Sequence, residues 1–131
     1  HLVFSTVHTP SAYETMDRIV NMFPPQDKKH ILQRLANSLR GIVAQKLVPR
    51  ASGTGRIAAV EIMINTPTVE KMIEDGHISD IYKAIAEGGH WGMRTMNQCL
   101  FSYVQKGLIT PEEALNYAGI HSELRQMLRR M

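Results

Sequence analysis

Few side chains in this sequence combine a reactive type with a suggestive setting, and His8 stands first among them. It follows the apolar run Leu2 to Ser5, within Ser5-Thr6-Val7-His8-Thr9, and precedes Thr9-Pro10. Leu2 to Ser5 is short, with β-branched and aromatic members, and reads as a buried strand. Ligands of open α/β sheets bind beyond the carboxyl ends of strands. An imidazole there, beside hydroxyls and a helix N-terminus, is placed to meet a terminal phosphate and report its presence. The competing reading is a histidine that hydrogen-bonds within its own loop, and on the residues alone the two are evenly matched.

Other candidates are weaker. Gly53-Thr54-Gly55-Arg56-Ile57-Ala58 fits G-x-G-x-x-A. A dinucleotide fingerprint needs a strand before it and a helix after it, whereas here a strand-like run follows, so the match reads as a hairpin turn. The sequence has no Gly-Lys pair, which a phosphate-cradling P-loop requires. The six histidines form no H-x-x-x-H pair, and one cysteine excludes the common zinc sets, so no metal site is expected. No G-x-S-x-G elbow is present. Cys99 lies between Met96 and Tyr103 in a helical pattern and reads as a small buried apolar residue.

The elements that must position these residues are mostly helical. Thr9-Pro10, Thr66-Pro67 and Thr110-Pro111 mark three helix starts, with Thr as cap and Pro where its missing N–H costs nothing. Glu113 would complete a capping box with Thr110. A first helix is expected over about 10–22 and a second over about 25–43, where Ile31, Leu32, Leu35, Leu39, Ile42 and Val43 make one apolar face. Residues 45–64 read as a β-hairpin with Ser52-Gly53-Thr54-Gly55 at its turn and a second strand covered on both faces. Further helices are expected from Thr66 to Asp75, from Ser79 (as cap) to Gly88, over 94–106, over 110–117 and over 122–129. A buried strand at Leu2 to Ser5 has no partner in this plan and would leave backbone groups unpaired. The expectation is therefore that the chain, which begins at His1, is an excised or processed part of a larger domain.

Composition narrows the function classes. An apolar fraction of 44% supports a core, and 21% charged residues without long like-sign runs argues against disorder. The net charge of +3 comes without a basic stripe interleaved with aromatics, so no nucleic-acid partner is expected. No apolar run is long enough to span a bilayer, no leader pattern opens the chain, and one cysteine suits a reducing compartment.

Several runs, in order along most of the chain, resemble the secretion and pilus ATPase superfamily. His1-Leu2-Val3-Phe4-Ser5-Thr6-Val7-His8-Thr9 resembles its "His box". Asp17-Arg18-Ile19-Val20-Asn21-Met22-Phe23-Pro24, Gln45-Lys46-Leu47-Val48-Pro49-Arg50 and Ala58-Ala59-Val60-Glu61-Ile62-Met63 follow, and Gly92-Met93-Arg94-Thr95-Met96-Asn97 resembles its Gly-Met-x-Thr segment. The pattern is most similar to the PilT/PilU retraction ATPases of type IV pili.

The resemblance implies an α/β fold: the C-terminal part of a RecA-like ATPase domain, mostly helical, with one parallel-sheet strand, a β-hairpin and a C-terminal helical bundle. It implies an ATPase-core portion at 1–64 and a helical subdomain at 65–131. It implies that His8 and His1 sense nucleotide, with Thr6 and Thr9 beside it. The intact protein would use ATP and Mg2+, form a homo-hexamer and work in the cytoplasm. It would sit against an inner-membrane platform protein at the pilus base, without membrane insertion. This chain alone would bind no cofactor and hydrolyse nothing. The family's retraction helix, Ala-Ile-Arg-Asn-Leu-Ile-Arg-Glu, aligns with Thr68-Val69-Glu70-Lys71-Met72-Ile73-Glu74-Asp75. Val69, Met72 and Ile73 keep its apolar stripe, whereas Glu70 and Glu74 reverse the charge of its arginines. The Val48-Pro49-Arg50 run and the 122–130 tail look more like PilU. Two other readings stand beside this one. A type II secretion or pilus-assembly ATPase would commonly carry a four-cysteine zinc module, which a single cysteine disfavours. A stand-alone helical interaction module would have no nucleotide chemistry.

Overall fold

The computed structural model describes residues 1–131. One antiparallel hairpin lies among helices. Strand β1 (Gly41–Pro49) pairs with β2 (Arg56–Ile64) in unbroken register from Gly41↔Ile64 to Pro49↔Arg56. Val and Ile recur in both strands, as half-buried pleated surfaces favour. The turn closes with the Arg50 N–H donating to the Gly55 carbonyl at 3.1 Å, and Gly53 and Gly55 supply the positive φ values of 82° and 76°. The G-x-G-x-x-A match is thus a hairpin turn. Strand β1 alternates exposed and covered residues, while β2 is covered on both faces from Ile57 onward.

The helices are α1 (Ala12–Asn21), α2 (Lys28–Ser38), α3 (Pro67–Glu74), α4 (Ile81–Glu87), α5 (Met96–Gln105), α6 (Pro111–Asn116) and α7 (His121–Arg129). Thr66 and Thr110 cap α3 and α6 as expected, accepting from the N–H groups of Val69 and Glu113 at 3.3 and 3.1 Å. The reciprocal capping box forms elsewhere, between Thr95 and Gln98 at the start of α5.

Four local expectations are corrected. The first helix starts at Ser11 rather than Thr9, because Ser11 Oγ accepts from the Glu14 N–H at 3.2 Å while the Thr9 hydroxyl is bonded to that of Thr15. The second helix ends at Ser38, not Val43. The Asn65 amide donates to the carbonyls of Ala36 and Leu39 at 2.9 and 2.8 Å, closing the helix end. Gly41 then lies so close to the Met63 carbonyl that a Cβ there would stand 2.9 Å from its oxygen. Ile42 and Val43 consequently belong to β1. Ser79 makes no cap: it sits inside a 3-10 turn, Ile78–Asp80, that leads into α4. Residues 2–5 form no strand, because neither β1 nor β2 pairs with them, and Leu2, Val3 and Phe4 are exposed.

Two apolar clusters result. The first joins α1 through α4 and includes Met16, Leu32, Ile73, Ile81 and Met63. The second joins α5 through α7 and includes Leu100, Ile109, Leu124 and Ala59, with Cys99 fully buried as expected. The hairpin feeds both. Along one face of β2, Ala59 belongs to the second cluster and Met63 to the first, and Glu61 stands between them.

Candidate functional site

Two regions meet at the start of α1. The segment 1–9 leads into it with His1, Thr6 and His8 exposed. The backbone rather than the imidazole of His8 is held: its carbonyl accepts from Arg18 Nη1 at 3.1 Å. Thr9 is the anchored member, its N–H donating to the Val7 carbonyl at 2.8 Å and its hydroxyl meeting that of Thr15. The Thr15 hydroxyl donates to the Ser11 carbonyl at 2.8 Å. The His8 ring therefore faces solvent with no bonded acid to orient it.

Beneath this segment, the inner face of the hairpin carries two charges. Glu61 is only 3% exposed. Its Oε2 accepts from the Ala12 N–H at 2.9 Å and its Oε1 from the Met96 N–H at 3.1 Å. Those are the first residues of α1 and α5, whose leading N–H groups lack intrahelical partners and whose positive dipole ends favour an anion. With both oxygens engaged, this carboxylate is an anchor rather than an acid or base. Lys46, on the same strand face of β1, donates to the Tyr117 carbonyl at 2.8 Å, at the end of α6. Burial pushes the Lys46 pKa down, against the attraction of Glu61 and Glu14.

A cavity of about 260 Å³ adjoins these charges, lined also by Ser11, Tyr13, Tyr82, Ile85 and Ile120. On its wall the Tyr82 hydroxyl donates to Glu123 Oε1 at 2.6 Å, and burial together with that carboxylate pushes the phenol pKa up. Asn97 Nδ2 donates to the same oxygen and to the Ile120 carbonyl, both at 2.9 Å, while its Oδ1 accepts from the Gly119 N–H at 2.9 Å. This ties α4, α5 and α7 together. No group of three or more His, Cys, Asp or Glu is arranged to hold a metal ion, and no helix is long and apolar enough to cross a membrane.

The residues Thr68 to Asp75 form α3 and its cap. Val69 and Ile73 are fully buried in the first cluster, with Met72 packed against it. Thr68, Lys71, Glu74 and Asp75 are exposed, and Lys71 pairs with Asp75 at 3.3 Å. Glu74 and Asp75 share an open groove with Lys28 and Lys29, so the acidic end of α3 faces a basic pair. No hydrogen bond joins α3 to residues 1–9.

Sequence reasoning quoted Glu61 and Lys46 only as parts of motifs and passed over Tyr82, Asn97 and Glu123 as site residues. The one available signal was a carboxylate on the same strand face as Ala59 and Met63, inside an otherwise apolar run.

The chain has relatives in sequence and in fold. A family model described as "Type II/IV secretion system protein" matches residues 1–71. The type IV pilus retraction ATPase PilT of Pseudomonas aeruginosa is 43% identical over 120 residues, 92% of this chain and 35% of PilT. The type IV pilus ATPase PilU of the same organism is 33% identical over 129 residues, 98% of this chain and 34% of PilU. The crystal structure of the pilus retraction motor PilT with bound ADP superposes with a TM-score of 0.86 at 33% identity, over 96% of this chain and 35% of that one. The chain thus spans about a third of the length of these relatives. The mixed fold of helices around one hairpin is the one expected, and the chain belongs to the type II/IV secretion system protein family.

Proposed function

We propose that this chain is the C-terminal part of a hexameric ATPase that powers type IV pilus retraction, and that residues 1–9 form its nucleotide-sensing loop. The observation that carries the reading is the 43% identity to a PilT retraction ATPase over 92% of the chain. The ADP in the solved PilT structure supports nucleotide as the ligand. In this reading the exposed rings of His8 and His1 reach a nucleotide held mainly by residues outside the chain, with Mg2+ as its counter-ion. Thr6 and Thr9 flank that contact. Thr9 suits the role because it alone of the four has its side chain bonded to the helix behind it. The phosphate-cradling loop is absent from these 131 residues, so the chain by itself hydrolyses no ATP.

Helix α3 is read as the element that transmits the change to neighbouring subunits. Its buried stripe keeps it rigid, and Glu74, where the family has an arginine, shares a groove with Lys28 and Lys29. The motor would act from the cytoplasm on a platform protein at the base of the pilus. The test is His8→Ala in the full-length protein. ATP turnover is expected to fall by about 10²-fold, as when one group aimed at developing charge is removed. Unchanged turnover would remove His8 from the mechanism.

A further inference from the structure

The polar bonds of Glu61 reach two places that the sequence keeps far apart. Its partners lie 49 and 35 residues away, at the first residues of α1 and α5. Helix α1 directly follows the His8 segment and packs in the first apolar cluster, while α5 directly follows Gly92 to Thr95 and packs in the second. Each amide bonded to Glu61 is one that its own helix cannot satisfy, and a hydrogen bond to a charged acceptor is the stronger kind. A displacement of α1 therefore pulls on the carboxylate, and the carboxylate pulls on α5. From α5 the Asn97 bonds carry on to the 119–120 loop and α7.

We infer that Glu61 is a positioning residue that couples the His8 segment to helices α5–α7, so that movement driven at the first is delivered to the second. This rests on the nucleotide-sensing reading of residues 1–9. Nothing in the geometry makes Glu61 a catalytic residue, since both its oxygens are engaged and it faces away from solvent.

The test uses the full-length hexamer and amide-resolved hydrogen exchange, with ADP and a non-hydrolysable ATP analogue as probes. In the wild type, nucleotide is expected to change protection at residues 8–15 and at residues 94–98 together. In Glu61→Gln the carboxamide keeps the shape but offers one oxygen and one NH2 group, so one helix start loses its acceptor. Nucleotide is then expected to change protection at residues 8–15 alone. The kcat should fall by about tenfold, within the usual range of a coupling effect, while KM for ATP holds. A merely structural Glu61 would lower the melting temperature and leave the joint response and kcat intact, which would overturn the proposal. Should Glu61→Gln not fold, the wild-type exchange decides: a response confined to residues 8–15 overturns the coupling. A wild type that hydrolyses ATP but shows this confined response sinks the coupling only. One that neither binds nor hydrolyses ATP sinks the motor reading as well.

Discussion

The loop of residues 1–9 and the Glu61 centre lie on either side of the start of α1 and treat their functional groups in opposite ways. In the loop, His1, Thr6 and His8 are exposed and the His8 imidazole is bonded to nothing. In the centre, every oxygen of Glu61 and both polar atoms of the Asn97 amide have partners. An unbonded imidazole is free to meet a ligand. A saturated carboxylate is committed to holding helices, and losing it leaves buried N–H groups without acceptors. Exposure thus leaves the first set of groups available to a ligand, and saturation commits the second to holding structure.

That contrast makes graded predictions. The largest effect is expected from Glu61→Ala, which strands two buried amides at about 1–3 kcal/mol each, measured as a shift in the urea midpoint. A loss under about 1 kcal/mol would mean the centre is less sealed than it looks. Next comes Tyr82→Phe, read through pH. The Tyr82 phenol is held above its ordinary pKa of 10.0, so above pH 10.0 the folded chain keeps a proton that the unfolded chain releases. Stability from this group is complete below pH 10.0 and is lost as pH rises toward the folded pKa. Lys46, with its lowered pKa, contributes a slope of opposite sign. Tyr82→Phe should therefore flatten the alkaline fall in the urea midpoint, and an unaltered slope would count against a buried Tyr82–Glu123 bond.

Thr9→Val sits on the border between the two regions. It removes one hydroxyl bond, while Thr15 keeps the Ser11 carbonyl, so the cost should be about 0.5–1.5 kcal/mol. The smallest effect belongs to His8→Ala. An exposed ring without bonds should change stability by less than about 0.5 kcal/mol in the same denaturation, even as turnover falls. A large loss of stability there would erase the distinction between the regions.

What could be read from the sequence follows the range of the interactions involved. Thr66, Thr110, the Ser52–Gly55 turn and Cys99 were legible because a cap, a turn or a helical stripe is decided within a few residues. The end of α2 was not. It depends on Asn65, 26 and 29 residues on, and on the approach of Gly41 to Met63. Residues 2–5 carry strand-like types, yet a strand is made by its neighbour, and none pairs with them here. The His8 segment was recognised by its pattern, whereas the Glu61 centre exists only once α1, β2 and α5 converge.

The unbroken register of the hairpin has a consequence for how the molecule assembles. Its six-residue turn closes a short loop, at an entropic cost about 2 kcal/mol smaller than bringing residue 12 or 96 to Glu61. The hairpin is thus expected to zip first and to serve as the template on which α1 and α5 dock. A slip of one residue would turn Glu61 to the other face and present Val60 or Ile62 to the incoming helix starts. Neither helix would then find its anion, so a mis-registered hairpin could nucleate neither cluster. The same carboxylate that joins the two halves would act, during folding, as a proofreader of strand alignment.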